Sequence, residues 1–186
     1  MKMRKCNSII AISIIILLLV HLFMGGFIMM DIIQVAPVWK KVLSYTMATL
    51  LVMHIIIGII LTFKSINNTK KSRANYIKLN LKFWVVRISG FAIIILAIYH
   101  ILFFINKGGE VIRLKLFGEF QLIASILFVV ALLAHIIPNV RSMVISFGIS
   151  NLRKFIRDIG IILLLALIFG LLAFIVYYFR WNVIWR

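Results

Sequence analysis

Residues 84–106 read WVVRISGFAIIILAIYHILFFIN, and the reading of this stretch decides the fold. The run is long enough to cross a hydrocarbon core of ~30 Å, which takes ~20 helical residues. Ile, Leu, Val and Phe crowd it without strict alternation, so it predicts a helix rather than a barrel strand. One residue stands apart. His100 places a polar ring deep in the span, where such a group needs a partner.

Four further apolar stretches flank it, at about 8–30, 42–63, 120–146 and 158–180. Together the five predict an all-α polytopic membrane protein, one transmembrane domain over 1–186, with a four-helix bundle at its core. Pro138 interrupts the fourth span and predicts a kink or local unwinding there. Trp39, Trp84, Trp181 and Trp185 fall at span ends, where amphipathic rings prefer to sit. No loop is long enough to form a domain, and no internal repeat is visible.

Composition agrees. Of 186 residues 65% are hydrophobic, yet 21 Lys and Arg against 4 Asp and Glu give a net charge of +17. Mean hydropathy is +1.18. A basic nucleic-acid binder needs far more polar surface, so nucleic acid is not an expected partner. A single Cys excludes a disulfide scaffold. The start MKMRKCN leads into an apolar run too long for a signal-peptide core, with no A-x-A site after it. Cys6 precedes that run and reads as an ordinary free thiol.

The charges set an orientation. Lys2, Arg4 and Lys5 precede the first span, and loop 64–83 carries Lys64, Lys70, Lys71, Arg73, Lys78 and Lys82. Arg141, Arg153, Lys154 and Arg157 follow the fourth span, against Asp158. On the other side Lys40 and Lys41 stand against Asp31, and Lys107, Arg113 and Lys115 against Glu110 and Glu119, before Arg180 and Arg186. The basic excess predicts a cytoplasmic N-terminus, in the cell (plasma) membrane of a bacterial type.

All four histidines lie within spans: His21, His54, His100 and His135, one on each of the first four. At ~1.5 Å per residue, His21 lies ~20 Å from the span start at Ser8, and His100 ~24 Å from Trp84. The antiparallel second and fourth spans put His54 ~18 Å beyond Val42 and His135 ~22 Å beyond Phe120. Two pairs at two levels result: His21 with His100 in the outer half, His54 with His135 in the inner half. Diagonal His pairs across a bundle are what clamps a haem by both axial positions, so two b-type haems are expected, with irons about 10–15 Å apart. Gly25, Gly26 and Gly58 remove bulk near His21 and His54, where a flat macrocycle must approach. Interhelical hydrogen bonding by each His, or a non-haem metal or proton path, are the alternatives. The last would want carboxylates, and none lies deep in a span.

Three segments then look familiar: His54-Ile-Ile-Ile-Gly58 with Thr62-Phe63-Lys64; Phe83-Trp84-Val85-Val86-Arg87-Ile88-Ser89-Gly90 with His100 beyond; and His135-Ile-Ile-Pro-Asn139-Val-Arg141-Ser142, ending near Phe147-Gly148-Ile149. In this order the chain resembles the five-helix, two-haem cytochrome b subunit of succinate dehydrogenase and fumarate reductase. The resemblance implies a membrane anchor that passes electrons between a quinone, menaquinone in the leading reading, and docked flavoprotein and iron–sulfur subunits. It also implies that the His54–His135 haem is proximal to those subunits and the His21–His100 haem distal.

Haem propionates call for cations, and a guanidinium fork suits a carboxylate, so Arg87 and Arg141 are candidates. Either also serves as a positive-inside anchor. Ser89 and Ser142 are candidate hydrogen-bond donors, or bond back to their own helix. Asp31 is the candidate proton acceptor near a distal quinone, against a plain loop-capping role. Some two-haem members carry a membrane Glu just before the fourth-helix His. Here Ala131, Leu132, Leu133 and Ala134 stand there, which puts a proton path at that place in doubt. The same haem-holding core occurs in cytochrome b subunits of hydrogenases and formate dehydrogenases, a second reading. A third is a cofactor-free transporter or structural membrane protein.

Overall fold

A computed structural model of the chain describes residues 2–33, 38–71, 81–104, 117–146 and 153–184. Arg73, Lys78, Lys107, Glu110, Arg113, Lys115, Phe147, Gly148, Ile149, Trp185 and Arg186 lie outside the described residues, as do the side chains of Lys2, Lys70 and Lys71. Among the described residues the structure is helical, without strands. Five helices follow one another: α1 Lys2–Met29, α2 Trp39–Lys71, α3 Leu81–Phe104, α4 Glu119–Ile145 and α5 Arg153–Phe179, the last continued by a π-helical turn over Arg180–Ile184. All five are long and apolar enough to cross a membrane. The protein is a multi-pass, all-α membrane protein.

Every helix meets its own backbone hydrogen-bond needs, which is the condition for crossing lipid. Hydroxyls on these helices follow suit by bonding back one turn, as Ser13 does to Ile9, Thr46 to Val42 and Thr62 to Gly58. α4 opens with the Gly118 N–H donating to the Gln121 side-chain oxygen at 3.0 Å. α4 runs unbroken through Pro138. The unwinding expected there does not occur, because one missing N–H costs a single rung in an otherwise complete ladder.

α5 is the spine of the bundle. It packs on α1 and α4, while α2 packs on α1 and α3 on α4. Ile136, Val140 and Val144 of α4 meet Leu163 of α5, with Ile15, Leu18 and Leu19 of α1 packed against them. Gly26 lets Phe169 approach, since a Cβ there would lie 2.5 Å from its ring, and Gly170 likewise receives Leu22 at 3.1 Å. Two hairpins therefore lean on one central helix. Between α2 and α3 no such extensive packing exists, and none of α2's described residues is fully buried. Hairpins α1–α2 and α3–α4 are thus joined chiefly through α5, with α1 also packed against the α4–α5 core.

Candidate functional site

The four histidines meet in two pairs between the hairpins. His21 of α1 and His100 of α3 stand with ring centroids 6.3 Å apart and planes at 66°. His54 of α2 and His135 of α4 stand 6.3 Å apart at 86°. Two imidazoles that share one metal through a nitrogen each, at bonds of ~2.0 Å, hold their centroids about 6 Å apart. Both pairs have that spacing, and no hydrogen bond joins the two rings of either pair among the described residues. Their levels differ. His135 lies against Gly90, ten residues before His100 on α3, or ~15 Å along the helix.

Hydrogen bonds hold two of the four rings by Nδ1. His135 Nδ1 lies 2.9 Å from the Val86 carbonyl, which can only accept, so Nδ1 carries the proton and Nε2 keeps its lone pair. Ser89 adds a contact at 3.4 Å while its own hydroxyl donates to the Val85 carbonyl at 2.6 Å. For His21 the partner is Ser44 of α2, at 3.2 Å from Nδ1. The Ser44 hydroxyl also lies within donating distance of the Lys40 carbonyl, at 3.0 Å. Both rings thus make interhelical hydrogen bonds through Nδ1, leaving Nε2 without a hydrogen bond among the described residues. His54 Nδ1 is buried with no hydrogen-bond partner among the described residues, a costly state inside lipid.

The chain matches no protein-family model, no curated protein and no solved structure.

Further residues fill in the site. Gly25 and Gly58 each lie four residues after a histidine, on the same helix face, and a Cβ at either would meet nothing within 4 Å. Gly26 belongs instead to the α1–α5 contact described above. Arg87 curls back on its own helix, Nη1 donating to the Phe83 carbonyl at 3.0 Å and the guanidinium 3.2 Å from the Phe83 ring centroid. Its Nε is buried without a partner. Arg141 is exposed, beyond His135 toward the same end of the bundle. Around His100 the rings of Phe104, Phe128 and Phe174 close in at 4.5, 5.4 and 6.3 Å. Beside it a shallow open-sided recess, with room for little more than a water molecule, runs between α3 and α4, lined by Tyr99, Phe103, Gln121 and Ser125 among others.

Asp31 stands in a left-handed turn, φ 61°, just past α1. Its carboxylate accepts from Arg180 at 2.6 Å, and Arg180 also reaches the Met30 carbonyl at 3.4 Å. That pair ties the end of α1 to the end of α5, and Asn182 ties the same end to the Phe117 carbonyl at 2.8 Å. Lys40 is half-buried in the first turn of α2.

What can this arrangement do? Among the described residues no three His, Cys, Asp or Glu side chains gather. A metal held by protein alone wants three or four ligands. Two imidazoles at this spacing could share a metal only if its remaining ligands came from another molecule.

Proposed function

We propose that this chain is the dihaem cytochrome b anchor of a succinate dehydrogenase or fumarate reductase, relaying electrons between a membrane quinone and docked flavoprotein and iron–sulfur subunits. The observation that supports it most is the equal 6.3 Å spacing of two histidine pairs on four successive helices. The motif order around His54, Arg87 and His135 supports the choice of partners. In this reading the protein lies in the plasma membrane with its partners on the cytoplasmic face.

Haem b held by two imidazoles changes oxidation state by one electron and keeps no open position for oxygen. The chain's own residues do the rest. Val86 and Ser44 hold His135 and His21 by Nδ1, so that Nε2 stays aimed and basic. Gly25 and Gly58 leave room one turn away along each helix. Arg87, with an unpaired buried Nε near the His135 level, is a donor for a propionate; Arg141 lies nearer the surface. Arg4, Lys64, Lys82, Arg153 and Lys154 are exposed on that end and offer a basic face to partners or anionic lipid. Asp31 reaches a quinone only if its bond to Arg180 opens.

Affinity purification of the tagged chain from its native membrane tests the partners. Co-elution of a flavin-bearing and an iron–sulfur subunit, with quinone-linked succinate or fumarate turnover, is expected. A nickel or molybdenum oxidoreductase in their place would move the haem core to the hydrogenase or formate dehydrogenase type.

A further inference from the structure

Charge divides unevenly between the two ends of the bundle. The starts of α1, α3 and α5 share one end with the ends of α2 and α4. In sequence, that end and its connections hold fourteen of the 21 Lys and Arg but one of the four acids, Asp158. Asp158 is bonded to Arg157. All five helices carry an exposed cation there: Arg4 on α1, Lys64 on α2, Lys82 on α3, Arg141 on α4, Arg153 and Lys154 on α5. The first turns of α1, α3 and α5 hold no acid, although a helix N-terminus favours negative charge. α4, which starts at the other end, does carry one, Glu119. Each of these cations also stands beside an exposed apolar side chain. Lys64 follows Phe63, 63% exposed, and Lys82 follows Leu81, 78% exposed. Met3 precedes Arg4, Phe155 follows Lys154, and Ile137 and Ile145 lie one turn to either side of Arg141. Apolar groups so exposed belong against lipid, which puts the cations beside them where hydrocarbon gives way to headgroups.

We propose that this rim binds anionic phospholipid, the cations pairing with phosphodiester headgroups while the apolar side chains beside them meet the acyl chains. The inference deepens the basic-face part of the function proposed above and does not depend on haem, so its failure leaves the reading of the histidine pairs standing. The spread over all five helices favours lipid over an acidic protein: a docked protein covers one patch, whereas lipids surround the whole perimeter. The apolar neighbours favour it too, since a soluble partner leaves them unused. Headgroup phosphates also answer the acid-free helix starts, where backbone N–H groups and the dipole welcome an anion. One cation at an anionic leaflet changes association by about fivefold. A rim of several discriminates anionic from neutral lipid, although each contact is weakened by salt.

The test places the whole purified chain in phosphatidylcholine vesicles. Trace spin-labelled phosphatidylglycerol is compared with spin-labelled phosphatidylcholine by the fraction of each that the protein holds motionally restricted. Phosphatidylglycerol is expected to be favoured severalfold at low salt, up to about fivefold, and to fall toward parity at about 0.5 M salt. Lys64→Gln, Lys82→Gln, Arg153→Gln and Lys154→Gln combined lose most of the preference. Lys41→Gln, exposed at the opposite end, retains it. Circular dichroism checks that the combined variant folds; should it not, the salt series on the parent decides alone. Equal restriction of the two lipids by the parent overturns the proposal and leaves the basic end to an acidic protein. A preference that salt or the combined variant does not diminish, or one lost equally in Lys41→Gln, overturns it as well.

Discussion

Gly58→Leu separates a haem protein from a cofactor-free bundle, because the two accounts predict opposite signs. In the structure a Cβ at position 58 meets nothing within 4 Å. Position 58 lies in the interior of α2, so replacing Gly by Leu gains about 0.8–1 kcal/mol of helix propensity. Without a cofactor the variant is therefore neutral or slightly more stable. With haem clamped between His54 and His135, a Leu side chain one turn from His54 on the same face enters the space of the macrocycle rim. Overpacking of that kind costs about 1–3 kcal/mol, or roughly 5- to 150-fold in affinity for the inner haem. The assay is haem content by pyridine haemochrome, alongside thermal unfolding of the haem-free form. The expected outcome is a ratio falling from two haems per chain toward one, with no loss of apoprotein stability. Full haem content with unchanged potentials in Gly58→Leu would refute the placement of the macrocycle against α2.

Other outcomes follow from the same geometry. His54→Ala removes the inner haem and leaves the outer largely in place, His100→Ala does the reverse, and redox titration of each distinguishes them; loss of neither would reject the pairing. Gly90→Ala brings a Cβ to 3.1 Å from His135 Cε1 and 3.2 Å from Nδ1, where ordinary contacts are about 3.5–4.0 Å. The ring must retreat from its Val86 bond, and inner-haem affinity is expected to fall about 10- to 100-fold, read by haem transfer to an acceptor protein. Ser44→Ala frees His21 Nδ1 and weakens the outer haem by a comparable factor, while Thr46→Ala, whose hydroxyl bonds only its own helix, leaves it unchanged. Arg180→Ala opens the tie to Asp31, a pair partly exposed on both sides, and is expected to lower stability by about 1 kcal/mol or less without changing haem content.

The five spans were legible because lipid imposes length and hydropathy together. Helix ends were less so. α2 continues to Lys71, well past the apolar run ending near 63, because 64–71 carries no Pro or Gly to stop it. Hydropathy measures contact with lipid, whereas the helix ends where its hydrogen bonds do. Histidine levels could be read from residue counts at a fixed rise, which is why the facing rings lie at depths the spacing alone suggests. Facing across helices was harder. Gly25 and Gly26 are neighbours in sequence but ~100° apart around α1, so a Cβ at one meets nothing within 4 Å and the other receives Phe169. Ser44 gave no signal at all, since its meaning depends on α1 and α2 lying side by side. Asp31 looked available until Arg180, near the far end of the chain, came to its side.

The most direct test of the account is the haem stoichiometry of the purified chain, with the spin state of its iron. The account predicts two b-type haems per chain, both low-spin and bis-imidazole by electron paramagnetic resonance, each lost with its own histidine pair. A chain that folds in a bilayer and stays colourless when haem is supplied would contradict it.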